Sequence, residues 1–274
     1  MEKEHQSELI SIVISASSDI GTALCSDWLL AKEKVIGTFR DRTSFGHLES
    51  IGVDLISCDL TSSESIAECI SSLIESLEGK TWDKLVLAAG TQNPIGLFGD
   101  NKFERWNESI HVNFISQVEI LHALLPIASP DAKVMFFAGG GTNGSVPRYS
   151  AYTISKIASI KLCELLAAEY PEVSFFSLGP GWVRTKIHEE TLAAGGEAGD
   201  NLQRTRNVLG GEETFPMKKL IATVNRLMSL PHSALSGRNF SAVHDPIEEE
   251  SLIQLLNSNT DFYKLRRHGN SYGH

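Results

Sequence analysis

The chain is short of the features that mark secreted, membrane-bound or nucleic-acid-binding proteins. Its four cysteines, Cys25, Cys58, Cys69 and Cys163, are scattered without a C-x-x-C spacing. They therefore indicate neither a disulfide framework nor a zinc ribbon, and they read as buried cytosolic thiols. The nine histidines form no H-x-x-x-H pair and no His/Cys cluster, which leaves metal catalysis without a ligand set. Basic residues are outnumbered: 24 Lys and Arg against 34 Asp and Glu give a formal net charge of −10 and a pI near 5.4. That is the wrong sign for nucleic acid or an anionic membrane as partner. No long apolar run opens the chain either. Leu9 to Ile14 follows a polar, acidic start and is too short for a signal or membrane helix. These absences point to a cytoplasmic protein with a small-molecule partner.

What is present suits a soluble globular protein: 274 residues, 42% hydrophobic and 21% charged. No linker or repeat divides them, so residues 1–274 read as one domain with tails at 1–8 and 260–274. Short apolar runs at Leu9–Ile14, Val35–Phe39, Val53–Ser57, Lys84–Ala88, Lys133–Ala138 and Val173–Leu178 read as strands. Helical patterns at Ile20–Ala31, Ser63–Glu78, Phe103–Leu125, Ser150–Tyr170 and Glu213–Met228 lie between most of them. Runs apolar on both faces belong to a parallel sheet covered on each side, so the expectation is an α/β, Rossmann-type doubly wound sheet in a three-layer α/β/α sandwich. The helix Phe103–Leu125 is apolar on more than one face and therefore needs two partners, the sheet and a second copy of the chain. This predicts a homodimer or homotetramer. Residues 185–213 carry Gly195, Gly196, Gly199, Gly210 and Gly211 without a sustained period and read as a mobile lid.

The first strand runs into Ser15-Ala16-Ser17-Ser18-Asp19-Ile20-Gly21, a strand-to-helix turn of the kind whose free N–H groups meet a dinucleotide pyrophosphate. The usual spacing there, T-G-x-x-x-G-x-G, keeps only its last glycine, Gly21. Asp19 reads first as the N-cap of the following helix, since a short acceptor side chain satisfies a free N–H. At the end of the second strand Arg40 favours a 2′-phosphate and hence NADP(H) over NAD(H), with Ser17 and Arg42 as further donors and Asp41 as a counter-signal. Asp59, closing the third strand beside Leu60, either accepts from an adenine amino group or caps helix Ser63–Glu78. Tyr152 and Lys156 stand four apart, on one face of a helix. A nearby cation favours the phenolate, so this spacing suggests an acid/base tyrosine.

In order along the chain stand the incomplete glycine turn, Arg40, Asp59, Leu87-Ala88-Ala89-Gly90, His111-Val112-Asn113, Tyr152-x-x-x-Lys156 and Pro180-Gly181-Trp182-Val183-Arg184-Thr185. Nearly the whole chain thereby resembles the single-domain short-chain dehydrogenase/reductase family. The resemblance implies an NAD(P)-dependent oxidoreductase. Tyr152 exchanges the substrate proton, Lys156 holds the nicotinamide ribose and lowers the phenol pKa, and Asn113 bends its helix and holds a relay water. Ser15, Ser17, Ser18, Asp19, Ile20, Gly21, Arg40, Asp59, Leu60, Ala88, Ala89, Gly90, Pro180, Gly181, Val183 and Thr185 would line the cofactor. Two departures stand out. Leu87-Ala88-Ala89-Gly90 lacks the usual asparagines, and Gly139, in Ala138-Gly-Gly-Gly-Thr142-Asn143, replaces the serine that orients the substrate carbonyl. Thr142, or else Ser145, is the substitute hydroxyl. The Gly-Gly-Gly run, Leu235–Ala242 and Tyr263–Arg267 are similar to a bacterial subgroup associated with surface-polysaccharide sugars, and Arg184, Lys186, His188, Arg204 and Arg206 would then meet an acidic or phosphorylated sugar. The leading expectation is NADPH-dependent carbonyl reduction or its reverse. A dinucleotide-binding protein without chemistry and a sugar-nucleotide epimerase or dehydratase are the alternatives.

Overall fold

The central strands form from largely apolar, buried runs such as Ile10–Ile14, and the helices Asp19–Leu30, Ser63–Ser76 and Met217–Met228 begin just after Ser18, Ser62 and Pro216. The computed structural model describes residues 8–41, 46–211 and 214–267. In chain order the first half contains β1 (Ile10–Ile14), α1 (Asp19–Leu30), β2 (Lys34–Phe39), α2 (Gly46–Ile51), β3 (Asp54–Ser57), α3 (Ser63–Ser76) and β4 (Trp82–Leu87). Then come α4 (Phe103–Ile110), a π-helical turn (His111–Ile115), α5 (Ser116–Leu124), β5 (Ala128–Phe137), α6 (Ser150–Glu169) and β6 (Ser174–Gly179). The chain closes with α7 (Ile187–Ala194), α8 (Asp200–Gly210), α9 (Met217–Met228), α10 (His232–Leu235), β7 (Arg238–Ser241) and α11 (Glu250–Ser258).

Among the described residues seven parallel strands form one sheet in the order β3-β2-β1-β4-β5-β6-β7. The order reverses between β1 and β4, so the helices after each half cover opposite faces, as expected of a doubly wound sheet. Side chains alternate between two cores. Val13, Met135 and Phe176 face α1 and α9 with Trp28, Leu220 and Leu227. Ile12, Ile14, Val134 and Phe175 face α3, α5 and α6 with Leu73, Ile120 and Cys163. Both faces are covered, which is why the strands read as unbroken apolar runs. All four cysteines are buried thiols.

Several boundaries moved, each for a local reason. β7 escapes an apolar-run search because it reads Arg-Asn-Phe-Ser. Its Arg238 is buried nonetheless, donating to the carbonyls of Ser233 and Leu256. The Leu235–Ala242 stretch is thus largely this edge strand and its approach. Residues 260–267 are no free tail: Tyr263 O accepts the Asn239 N–H at 2.8 Å, and Arg266 pairs with Glu164 and Asp261. The rest of that tail, and residues 1–7 of the other, lie outside the described residues. The last long helix begins at Met217, after Pro216, and not at Glu213, which lies outside the described residues. Residues 185–211, expected to be irregular, contain α7 and α8. The run Phe103–Ile127 is long and apolar enough to match a membrane span. Here it lies over the sheet, and Leu124 O accepts the indole N–H of Trp82.

Candidate active site

Two cavities open at the carboxyl ends of the strands, around the reversal in strand order. One, of about 270 Å³, is lined by Asp19, Ile20, Ala88, Tyr152, Lys156, Pro180, Gly181, Val183 and Thr185, among others. The other, of about 410 Å³, is lined by Ser17, Thr38, Arg40, Asp41, Asp59 and Leu60, among others. They share Ser15, Ser18, Ala89, Gly90, Lys186 and Glu190, so they form one trench in two halves. This is the crevice at a topological switch point where open α/β sheets bind ligands.

The turn from β1 to α1 explains its surviving glycine. A Cβ on Gly21 would lie 2.4 Å from Ser15 O, so only glycine fits. Ser15 holds φ +67, a left-handed conformation that glycine adopts at lower cost. The N-cap of α1 is Ser18, whose Oγ accepts the Gly21 N–H at 3.1 Å. Asp19 is therefore not the cap. Its carboxylate reaches across the trench and accepts the Lys186 N–H at 2.7 Å. Asp59 does not cap α3 either, since Ser62 does. The Asp59 carboxylate accepts from the Thr61 N–H and hydroxyl at 2.9 and 2.8 Å, while staying at the strand end on the cavity wall. Arg40 is exposed at the rim of the same cavity. Arg42 lies outside the described residues.

At the other end, Asn113 sits in the π turn, 1% exposed. Its Oδ1 accepts the Thr91 N–H at 2.9 Å, and its Nδ2 donates to Thr91 O and Ser109 Oγ at 2.9 and 3.0 Å. It thus pins the chain just after Gly90. Lys156 is buried, its Nζ 3.5 Å from Ala89 O and 5.7 Å from the centre of the Tyr152 ring. Burial pulls its pKa down to about 8. The Tyr152 pKa moves the other way from the expectation of a lowered value. Burial, and then the Glu190 carboxylate, push it up to about 12. Both causes act against the phenolate.

Gly139 proves to be more than a missing hydroxyl. A Cβ there would lie 2.7 to 2.9 Å from Cε1, the hydroxyl and Cζ of Tyr152. The ring occupies the space a serine would need. Neither candidate substitute is brought to the trench: Thr142 is half-buried outside its lining, and Ser145 is exposed. Thr185 lines the trench as expected, and its hydroxyl donates to Val183 O at 3.4 Å. Among the described residues no group of His, Cys, Asp or Glu is placed to hold a metal.

The sequence reading missed Glu190. It projects from α7, lines both halves of the trench, and accepts from Thr91 Oγ1 and from the N–H groups of Gln92 and Asn93 at 3.0, 2.5 and 3.1 Å. The next residue, Thr191, bonds to Gln92 and Tyr149. No motif announces Glu190, because its partners lie nearly a hundred positions away. Of the cations expected to face a substrate, Lys186 and His188 line the trench, and three of the five have partners on neighbouring parts of the chain. His188 stacks on Trp182 with ring centres 5.0 Å apart, Arg204 lies 5.4 Å from the Trp182 ring, and Arg184 donates to Leu209 O.

Comparison with known proteins agrees with this geometry. A family model described as enoyl-(acyl carrier protein) reductase matches residues 16–238. An uncharacterized oxidoreductase of Schizosaccharomyces pombe is 26% identical over 183 residues, covering 66% of this chain and 73% of that protein. Among solved structures, the KRED1-Pglu enzyme superposes with a TM-score of 0.76 at 23% identity, over 84% of this chain and 99% of its own. A short-chain dehydrogenase of Shigella flexneri complexed with NADP gives 0.70 at 18% identity, over 85% and 96%.

Proposed function

This chain belongs to the short-chain dehydrogenase/reductase family and is an oxidoreductase acting on CH–OH or C=O groups, and from that premise we propose that it uses NADPH to reduce the carbonyl of a small, polar, sugar-like substrate. The observation that carries the proposal is the placement of Tyr152, with buried Lys156 beside it, in one cavity with the Ser15–Gly21 turn.

The residues present fit a dinucleotide. Gly90 lines the trench, and a Cβ there would stand 3.5 to 3.8 Å from Asn113 Oδ1, Ile187 Cδ1 and Lys156 Nζ. Arg40 stands at the rim of the half that would take the adenosine, where its guanidinium suits a phosphate. When bound, the nicotinamide supplies the hydride that reaches the carbonyl carbon. Tyr152 gives its phenolic proton to the carbonyl oxygen as charge develops there. The same phenol, once ionised, takes the proton back in the reverse, oxidative direction. Lys156 then faces the new phenolate and stabilises it. Asn113 fixes the Thr91 backbone, and through it the wall beside Gly90. Gln92, His188 and Glu190 give the substrate half polar groups to meet hydroxyls.

The same reading takes the protein as a cytoplasmic homo-oligomer. Ile115 beside α5 and Ile154 on α6 are 42% and 52% exposed on long helices that bury their other faces against the sheet. A second reading, dinucleotide binding without turnover, rests on Gly139 and Asp19. Tyr152→Phe separates the two. It should abolish NADPH oxidation with a panel of hydroxylated aldehydes and ketones while leaving NADPH binding intact. A wild type that binds NADPH yet reduces nothing in the panel would favour the second reading.

A further inference from the structure

Lys186 and Glu190 are the lid residues that line both halves of the trench, so α7 lies across the divide that any dinucleotide must span. Two sets of hydrogen bonds hold it there, and an apolar side chain sits between them. At its start, the Lys186 N–H donates to Asp19, on the opposite wall. One residue on, Ile187 Cδ1 comes within 3.6 Å of where a Cβ on Gly90 would stand, on the side from which Lys156 Nζ approaches. Further along, Glu190 takes three donors from Thr91, Gln92 and Asn93. Both acidic residues therefore place carboxylates along the path of the dinucleotide, each bonded to main-chain N–H groups of the kind that cradle phosphate.

We propose that Asp19 and Glu190 form a double latch that sets the dinucleotide affinity: they hold α7 across the trench, and both must yield before an anionic bridge can pass between the Ser15–Gly21 turn and the lid. The inference rests on the cofactor class proposed above and goes beyond it, because it makes two acidic residues of this chain the determinants of how tightly the trench binds. Asp19 has a double effect. Its charge repels the incoming phosphates, and its bond to Lys186 N keeps the lid amide engaged. Glu190 acts mainly through the lid, since its donors belong to the loop after β4.

The test is calorimetric titration of the full-length wild type, Asp19→Asn, Asp19→Gly and Glu190→Gln with NADPH. Hydrogen–deuterium exchange of residues 186–194 without cofactor accompanies it. Asp19→Asn keeps an acceptor for Lys186 N and removes the charge, whereas Asp19→Gly removes both. Asp19→Gly should tighten NADPH binding about tenfold, equivalent to about 1.4 kcal/mol, with Asp19→Asn tightening it less. Amides of α7 should exchange faster in Asp19→Gly and Glu190→Gln. If all proteins bind NADPH equally, or the Asp19 variants bind more weakly, the latch is overturned while the cofactor assignment stands. If none binds NADPH, both fall. Asp19→Asn preserves the side-chain shape, so a folding defect in Asp19→Gly would not shield the proposal.

Discussion

Putting back the serine that the family pattern places at residue 139 looks like a repair, but the geometry predicts damage. A Cβ at this position would sit 2.7 to 2.9 Å from three atoms of the Tyr152 ring, against roughly 3.5–4.0 Å for unstrained carbon contacts. The nearby atoms are the far end of a side chain, so the ring yields by roughly 0.6–1 Å and the backbone stays in place. The stability cost should therefore stay at or below about 1–3 kcal/mol, the usual range for overpacking. Catalysis should suffer more, since a misplacement of about 1 Å in a reacting group costs on the order of a hundredfold. Gly139→Ala carries the displacement alone. Gly139→Ser adds a hydroxyl, and an oriented donor of that kind is worth about a hundred- to a thousandfold if it reaches the oxyanion. The two effects are of similar size, so the pair of variants separates them. We expect kcat/KM for Gly139→Ala to fall about tenfold to a hundredfold, with NADPH affinity and urea midpoint nearly unchanged. Gly139→Ser should lie between Ala and wild type. A Gly139→Ala enzyme as active as wild type would refute the claim that this glycine seats the phenol. A Gly139→Ser enzyme faster than wild type would show that the missing donor outweighs the seat.

Other substitutions probe the ends of the trench. Lys156 is buried, and its pKa falls from 10.5 to about 8, a penalty on its charged form of about 3 kcal/mol. The penalty is complete below pH 8 and fades between about pH 8 and 10.5, because the unfolded chain binds the extra proton in that window. Lys156→Met should therefore lose turnover yet be more stable than wild type at pH 7, with the gain shrinking toward pH 10. Urea melts at the two pH values check this, and a pH-independent difference would contradict it. Arg40→Ala should weaken NADPH binding about tenfold or more, through loss of charge-assisted bonds, and leave NADH nearly unchanged. Equal losses for both cofactors would remove Arg40 from the 2′-phosphate.

How much was legible follows from the range of the interactions. β1, β2, β4, β5 and β6 fill both cores and show themselves as apolar runs. β7 stands at the sheet edge, and its polar residues are satisfied by carbonyls far along the chain, so no local pattern reveals it. Tyr152 and Lys156 are readable because their spacing is helical. The direction of the phenol's shift is not, because it depends on burial and on Glu190. Asp19 and Asp59 show the same limit. Each is an acidic residue beside a helix start, and in each case a neighbouring serine, Ser18 or Ser62, takes the cap. The aspartate is thereby freed for a partner that only the fold supplies.

The π turn at His111–Ile115 gives α4 and α5 a common run with a phase error between them. One extra residue per turn rotates everything downstream by about 100° relative to a continuous α-helix. On one side of the turn Ser109 therefore reaches Asn113, and on the other Gln117 reaches Val112 O and Ala89 O beneath Lys156. Deleting a single residue from this turn would regularise the helix while turning either Asn113 or the core face of α5 out of register. The segment can be made a better helix only by ceasing to serve both the site and the sheet.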